Sequence, residues 1–243
     1  MLVTGASGSS AEFVRLLQAQ GAQVDACPLI RIGPPPHEQV LQDTVDRSDR
    51  FAWLVFTSAT GVEAFARRRR LPLSVKPRIA AVGAATARAV RENLGRQAEL
   101  VAERASASAI ADELVRAARK GDQILLMTAR DASPVLEHKL RGAGYDVEKA
   151  DAYTTVQAPP TDLATHVAAA DVISLASPSA VRALLDGLGA NALDHLRGKL
   201  LACIGPATLM AARDAGLHVE IVPADASFAA MVEALGQYFL GRA

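Results

Sequence analysis

Short apolar runs alternate along the chain with stretches in which apolar residues recur at helical spacing. The runs predict strands at Met1–Thr4, Val24–Ile30, Phe51–Thr57, Arg78–Val82, Gln123–Thr128, Val147–Tyr153, Asp171–Leu175, Leu200–Ile204 and His218–Val222. Helices are predicted over Ser10–Gln20, where Phe13, Leu16 and Leu17 share a face, and over residues 61–67. Others run from Gly83-Ala-Ala-Thr86 to Gly95, over Ser108–Lys120 and over Pro134–Arg141, with more between and after the last three strands. Gly21, Gly95, Gly121 and Gly142 stand where four of these helices should stop. Phe51–Thr57 is apolar throughout, as in a strand covered on both faces. Gly33-Pro-Pro-Pro36 and Pro159-Pro160 cannot be helix and read as connectors. Such regular alternation of strand and helix implies parallel sheets with right-handed crossovers.

The pattern also repeats. Phe56-Thr-Ser-Ala-Thr-Gly-Val-Glu-Ala-Phe65 matches Leu175-Ala-Ser-Pro-Ser-Ala-Val-Arg-Ala-Leu184, at an offset of 177 − 58 = 119 residues. Ala81-Val-Gly-Ala-Ala-Thr86 matches Cys203-Ile-Gly-Pro-Ala-Thr208, at 205 − 83 = 122. Met1–Leu29 and Ile124–Thr154 share a plan, each with a strand ending in Thr (Thr4, Thr128), then a helix, a glycine and a second strand. Similar matches in one order at similar offsets mark the chain as two similar α/β halves.

Composition narrows the classes. The 243 residues allow one large α/β domain or two of about 120 residues. Half the residues are hydrophobic, which argues for a packed core, and only 4% are aromatic, so the core is aliphatic. Lys and Arg total 26, as do Asp and Glu, so the chain is formally neutral and a poor match for nucleic acid. No apolar run is long enough to span a membrane, and MLVTGASGSS reads as a first strand rather than a signal peptide. Cys27 and Cys203 alone make neither a disulfide scaffold nor a metal site, so a reduced, cytosolic protein is expected.

Two readings of the chemistry compete at first. Val3-Thr-Gly-Ala-Ser-Gly8 follows a strand and precedes a helix, and Asp25 lies 25 − 5 = 20 residues after Gly5, as in a dinucleotide-binding turn. Tyr145 and Lys149 have the spacing of a Tyr–x–x–x–Lys pair, which shares a face only on a helix. Here the pair follows Gly144 and enters a strand, where the two side chains stand roughly 13 Å apart. The glycine loop also lacks the full G-x-G-x-x-G. An NAD(P)-binding oxidoreductase or epimerase is therefore the weaker reading.

The second reading starts from hydroxyls at the carboxyl ends of strands: Thr4, Thr57, Ser58, Thr60, Thr86, Thr128, Ser177, Ser179 and Thr208. In open parallel sheets this edge is the ligand edge, where helix N-termini present free N–H groups. Each hydroxyl could equally be a helix cap. Their number suggests a polar cleft between domains, in which backbone donors bind anions without adding net charge. Tyr153, at a strand end before a connector, is either a cleft-facing proton donor or a ring packed at the hinge. Arg67–Arg70 could meet acidic substrate groups or be a solvated helix end.

Taken together, these residues resemble the uroporphyrinogen-III synthase family. The resemblance is carried by Cys27-Pro-Leu-Ile-Arg-Ile32, Trp53-Leu-Val-Phe-Thr-Ser-Ala-Thr-Gly-Val62, Ile79-Ala-Ala-Val-Gly-Ala-Ala-Thr86 and Ile124-Leu-Leu-Met127 followed by Leu136, Leu140, Gly144 and Val147. It continues in Ala152-Tyr-Thr-Thr155, Asp171-Val-Ile-Ser-Leu-Ala-Ser-Pro-Ser-Ala-Val181 and Cys203-Ile-Gly-Pro-Ala-Thr208.

The resemblance implies two doubly wound parallel-sheet α/β domains of flavodoxin-like plan with the active site in the cleft between them. One would be discontinuous, residues 1–33 plus 158–243, and the other would be 37–154, with connectors near 33–37 and 154–160. The implied reaction is cyclisation of hydroxymethylbilane to uroporphyrinogen III, a lyase reaction that loses water and inverts ring D, in tetrapyrrole synthesis and with no cofactor or metal. Tyr153 would assist loss of the hydroxyl. Gly83, Thr86, Ser177, Gly205 and Thr208 would hold the acetate and propionate groups, with Ser58, Thr60, Thr128, Arg130 and Ser179 beside them. A cytosolic monomer is implied, its partners being the linear tetrapyrrole and, transiently, the enzyme that makes it. The chain departs from the family pattern at Gly5, where an Arg usually follows the first strand's Thr. A homologue that binds tetrapyrroles without turning them over is the alternative.

Overall fold

The computed structural model describes residues 1–6 and 10–241. The Ser7-Gly8 part of the glycine loop lies outside them. Among the described residues ten strands form two sheets: β1 (Leu2–Val3), β2 (Asp25–Ala26), β3 (Ile30–Gly33), β4 (Trp53–Phe56), β5 (Arg78–Ala81), β6 (Leu100–Val101), β7 (Gln123–Ala129), β8 (Asp146–Gln157), β9 (Val172–Leu175) and β10 (Leu200–Cys203). Helices α1 (Ala11–Ala19), α2 (Glu38–Asp46), α3 (Ala59–Arg68), α4 (Ala84–Leu94), α5 (Ala107–Ala117) and α6 (Val135–Gly142) belong to the first part of the chain. Helices α7 (Leu163–Ala169), α8 (Pro178–Leu188), α9 (Ala192–Leu196), α10 (Pro206–Asp214) and α11 (Phe228–Leu240) follow.

The chain divides into two units, Met1–Ile32 with everything from Val156 onward, and Gly33–Thr155. In the first, the strand order is β10-β9-β1-β2 and every pairing is parallel. A single parallel bridge sets Ile221 beside Ala202 on the free side of β10. In the second unit the order β8-β7-β4-β5-β6 is again wholly parallel. Strand β3 adds to its outer edge beside β8.

Both sheets are covered on two faces, which is why central strands such as β4 and β7 are nearly continuously apolar. In the second unit, Leu54, Phe56, Leu125 and Met127 pack with Val62 and Phe65 of α3. The alternate residues Trp53, Val55, Ile124 and Leu126 pack on the other face with Ile110 and Leu114 of α5 and Leu136 and Leu140 of α6. In the first unit, α1 and α11 cover one face through Phe13, Leu17, Met231 and Leu235. Residues of α7, α8 and α10 cover the other.

The differences from expectation have local causes. The predicted strand Val24–Ile30 is divided between the two sheets: Asp25, Cys27 and Leu29 N–H donate to Met1, Val3 and Thr4 O in the first, and Ile30 opens β3 in the second. The predicted strand His218–Val222 shrinks to the bridge at Ile221, just ahead of Pro223. Strand β8 runs on to Gln157, into the stretch read as a connector, and Gly33 is itself in β3. Ala158 N–H donates to Leu29 O (2.8 Å) and Thr154 Oγ1 to Pro34 O (2.9 Å), so the two linking segments run in opposite directions. Helix α2 was unpredicted. It buries only Leu41, Thr44 and Val45, and Glu148 of β8 holds it through Thr44 and Arg47.

Candidate active site

In a parallel sheet every strand ends on the same edge, so the carboxyl ends of β4, β5, β7 and β8 stand side by side. Strands β7 and β4 are neighbours, yet their following helices cover opposite faces of the sheet. In open α/β sheets ligands bind at such a point. Around it stand Ser58 and Thr60 after β4, Thr128 at the end of β7 and Arg130 just beyond. Gly83 and Thr86 lie after β5, and Tyr153 is on β8. In the first unit β1 and β9 meet in the same way, with α1 and α8 on opposite faces. Ser177 and Ser179 follow β9, and Gly205 and Thr208 follow β10.

Tyr153 reaches this edge because of an irregularity in β8. Thr128 pairs with Asp151 but Ala129 pairs with Tyr153, so Ala152 is an extra residue. Side chains on a regular strand alternate in face. Here Ala150, Ala152 and Tyr153 all pack on the α3 face. The bulge re-aims the phenol. It spans β7 and meets Ser58 Oγ at 3.0 Å. Burial pushes the phenol above its ordinary range, and the bond with Ser58 pulls it the other way. The phenol therefore holds its proton through neutral pH, as a general acid must.

Ser58 is the N-cap of α3, and its Oγ accepts from Gly61 N–H at 3.1 Å. Ser177 caps α8 in the same way, accepting from Ala180 N–H at 3.2 Å. Arg130 N–H donates to Tyr153 O (2.9 Å), and Lys149 Nζ donates to Arg130 O (3.0 Å). The backbone at Arg130 is thus held from both sides while its guanidinium is exposed. Lys149 Nζ also lies 2.8 Å from Asp151 Oδ1, off the line of a hydrogen bond, as a charge contact.

The remaining candidates divide by burial. Thr86, Thr128 and Thr208 are buried, whereas Ser58, Thr60, Ser177 and Ser179 are half-exposed. Thr128 Oγ1 donates to Ala129 O, and Thr4 Oγ1 to Ser174 O. Gly83 has φ +99°, a conformation that glycine tolerates, and a Cβ there would stand 3.0 Å from Ala105 Cβ. Gly205 is extended, but a Cβ on it would also stand 3.0 Å from a methyl, that of Ala226.

Other candidates fall elsewhere. Arg67–Arg70 lie at the C-terminal end of α3, away from the carboxyl edge. Arg69 is bound to Ser48 and Asp49, and Arg67 lies near Glu63. Tyr145 Oη donates to Val115 O and Lys149 to Arg130 O, so the pair required by the dinucleotide reading does not assemble. The Ala152 bulge and the Gly61 N–H were not anticipated. The bulge leaves no mark in the sequence, whereas Ser58 three residues before Gly61 is an ordinary capping spacing.

Residues 11–233 match the sequence profile of the family described as Uroporphyrinogen-III synthase HemD. The chain belongs to this family. The chloroplastic uroporphyrinogen-III synthase of Oryza sativa subsp. japonica is 28% identical over 97% of this chain and 79% of its own length. The uroporphyrinogen-III synthase of Synechococcus elongatus is 25% identical over 98% of this chain and 94% of its own. Among solved structures, a mutant uroporphyrinogen III synthase from the extremely thermophilic bacterium Thermus thermophilus superposes with a TM-score of 0.67 at 18% identity, covering 99% of this chain and 100% of that one. The uroporphyrinogen-III synthetase from Helicobacter pylori gives 0.62 at 18% identity, over 90% and 94%. These two likenesses establish the fold, two α/β units joined by connectors. The enzymatic, synthase role rests on the family match.

Proposed function

We propose that this chain cyclises hydroxymethylbilane to uroporphyrinogen III, inverting ring D and releasing water. The observation that carries the reading is the family match across residues 11–233, with the Tyr153 phenol set at the carboxyl edge of its sheet. The C–O bond of the terminal hydroxymethyl group breaks with its electron pair on oxygen. The Tyr153 proton joins that oxygen to make water, leaving a phenolate and an azafulvenium cation. Ring closure at the substituted carbon of ring D gives a spiro pyrrolenine after proton loss, and fragmentation and reclosure turn the ring over. The proton released restores the phenol. Because the substrate carries its own reactive groups, the enzyme chiefly folds and restrains it.

Around the phenol, Arg130, Thr60 and the N–H groups after Gly83 are assigned to substrate carboxylates in one unit. Ser177, Ser179 and the N–H groups after Gly205 are assigned to them in the other. Thr86, Thr128 and Thr208, being buried, shape these turns. Each unit is read as a flavodoxin-like, doubly wound domain, residues 1–33 plus 158–243 and residues 37–154. We place the protein in the cytosol as a monomer that transiently meets the enzyme making its substrate. Among the described residues no helix is long and apolar enough to cross a membrane.

The test is to supply hydroxymethylbilane and resolve the product isomers. An excess of type III over the spontaneous type I is expected. Type I alone, at the uncatalysed rate, refutes the reading. Tyr153→Phe should slow turnover about 100-fold with substrate affinity nearly unchanged. Unaltered kinetics would remove the acid role. A binding-only homologue is the second reading, favoured by Gly5, where a side chain would run into Ser10 Oγ. Tight binding of a linear tetrapyrrole without isomer control would select it.

A further inference from the structure

The capping serine and the phenol are one hydrogen-bonded chain. Ser58 Oγ accepts from Gly61 N–H at 3.1 Å and lies 3.0 Å from Tyr153 Oη. A hydroxyl has one proton to give and two lone pairs. One lone pair of Ser58 is committed to the helix, so two arrangements remain for the pair. Either the phenol donates to Ser58, or Ser58 donates to the phenol oxygen. Only the second leaves the phenol proton free to leave toward a substrate.

We propose that Ser58 is the positioning residue for Tyr153, its hydroxyl proton directed at the phenol oxygen in a relay from Gly61 N–H through Ser58 Oγ–H to Tyr153 Oη. The inference rests on the proposed reaction in taking Tyr153 as the proton donor. It assigns Ser58 a task other than contact with the substrate. As the phenol proton moves onto the departing hydroxyl, negative charge collects on Tyr153 Oη. A hydrogen bond to a charged oxygen is worth more than one to a neutral oxygen, so the Ser58 bond strengthens at that moment. The polarised N–H of Gly61, in the first turn of a ten-residue helix, strengthens the serine as a donor. No bond of Ser58 breaks, and the proton delivered is the phenol's own. The bulge at Ala152 is what brings the two hydroxyls together, since a regular strand would turn the phenol to the α6 face.

Substitutions at Ser58 separate this role from capping. Ser58→Ala removes both. Ser58→Asp keeps a good cap but has no proton to donate at neutral pH, and places a negative charge beside the phenol. Ser58→Thr keeps cap and donor. Turnover with hydroxymethylbilane should fall about ten- to hundredfold in Ser58→Ala with little change in KM, and at least as far in Ser58→Asp. Ser58→Thr should restore it to within a few-fold. Removing the donor destabilises the phenolate, so the alkaline titration of Tyr153 should move up in Ser58→Ala and further up in Ser58→Asp. It is read as the ultraviolet phenolate signal lost in Tyr153→Phe.

Wild-type turnover in Ser58→Ala, or full recovery in Ser58→Asp, overturns the proposal. If the wild type makes no type III isomer, the proposed function fails. The phenolate titration then decides the Ser58–Tyr153 coupling by itself. An unmoved titration in a folded Ser58→Ala protein refutes it.

Discussion

Gly83 and Gly205 hold the same place in the two repeats, at the turn from strand to helix, but only one of them requires glycine. Gly83 has φ +99° with ψ 167°, a region closed to other residues. Gly205 is extended, and its constraint is the 3.0 Å approach of the Ala226 methyl. Gly83→Ala should cost about 1–3 kcal/mol, and Gly205→Ala should stay within about 1 kcal/mol of wild type. Urea midpoints compare them, and equal losses would contradict the difference. The matching VG-x-x-T and IGPAT segments made the turn legible in the sequence. The differing φ was not legible, since both turns carry the same residue. Tyr153 shows a similar limit. The apolar pattern ends its strand at Tyr153, whereas β8 runs on to Gln157, and its contact with Ser58 depends on an unpaired Ala152 that alternation cannot reveal.

Among elements, the apolar strands β4, β7 and β9 were readable because burial on both faces imposes largely hydrophobic runs. The two-residue strand β6 carries too little pattern, and α2 buries too few residues to show a stripe. Helix α7 has a polar tie to the edge of its sheet. His166 Nδ1 lies 2.6 Å from Asp25 Oδ2, beside β1 in the sheet order, and Nε2 lies 3.4 Å from Asp162. The Asp25 carboxylate raises the imidazole above its ordinary 6.5. A group whose pKa is raised on folding stabilises fully below its unfolded pKa and loses that contribution as pH climbs through the folded value. Stability from this tie should therefore be intact below about pH 6.5 and decline above it. Melting temperatures across that range should drop by a small step that His166→Asn abolishes. A step that survives the substitution would assign it to other groups.

At the scale of the molecule, the single tryptophan and the two cysteines fall in different units. Trp53 is fully buried in the core of the second unit, and Cys27 and Cys203 in that of the first. Burial pushes Cys27 up to about 11 and Cys203 up to about 12, so both thiols are inert until their unit opens. Each unit closes cores of its own. Denaturant curves from Trp53 emission and from thiol labelling are therefore expected not to coincide, and coincident curves would show a single cooperative transition. The neutral charge, which counts against nucleic acid, is compatible with a small polycarboxylate held by N–H groups and a few arginines.

The order of the strands carries a last consequence. The first repeat sends β1 and β2 to one sheet and β4, β5 and β6 to the other. The second sends β7 and β8 to the latter, and β9, β10 and Ile221 to the former. Strand β3 of the first repeat extends the latter sheet at its outer edge; apart from it, each sheet combines the opening pair of one repeat with the closing three of the other, in the same spatial order. Two separate copies of one half-length chain, exchanging their first two strands, would build all of both sheets but β3 without any strand changing neighbours. In that light the covalent link between the halves, before β7, fixes as one chain what is by its pairing a strand-exchanged dimer.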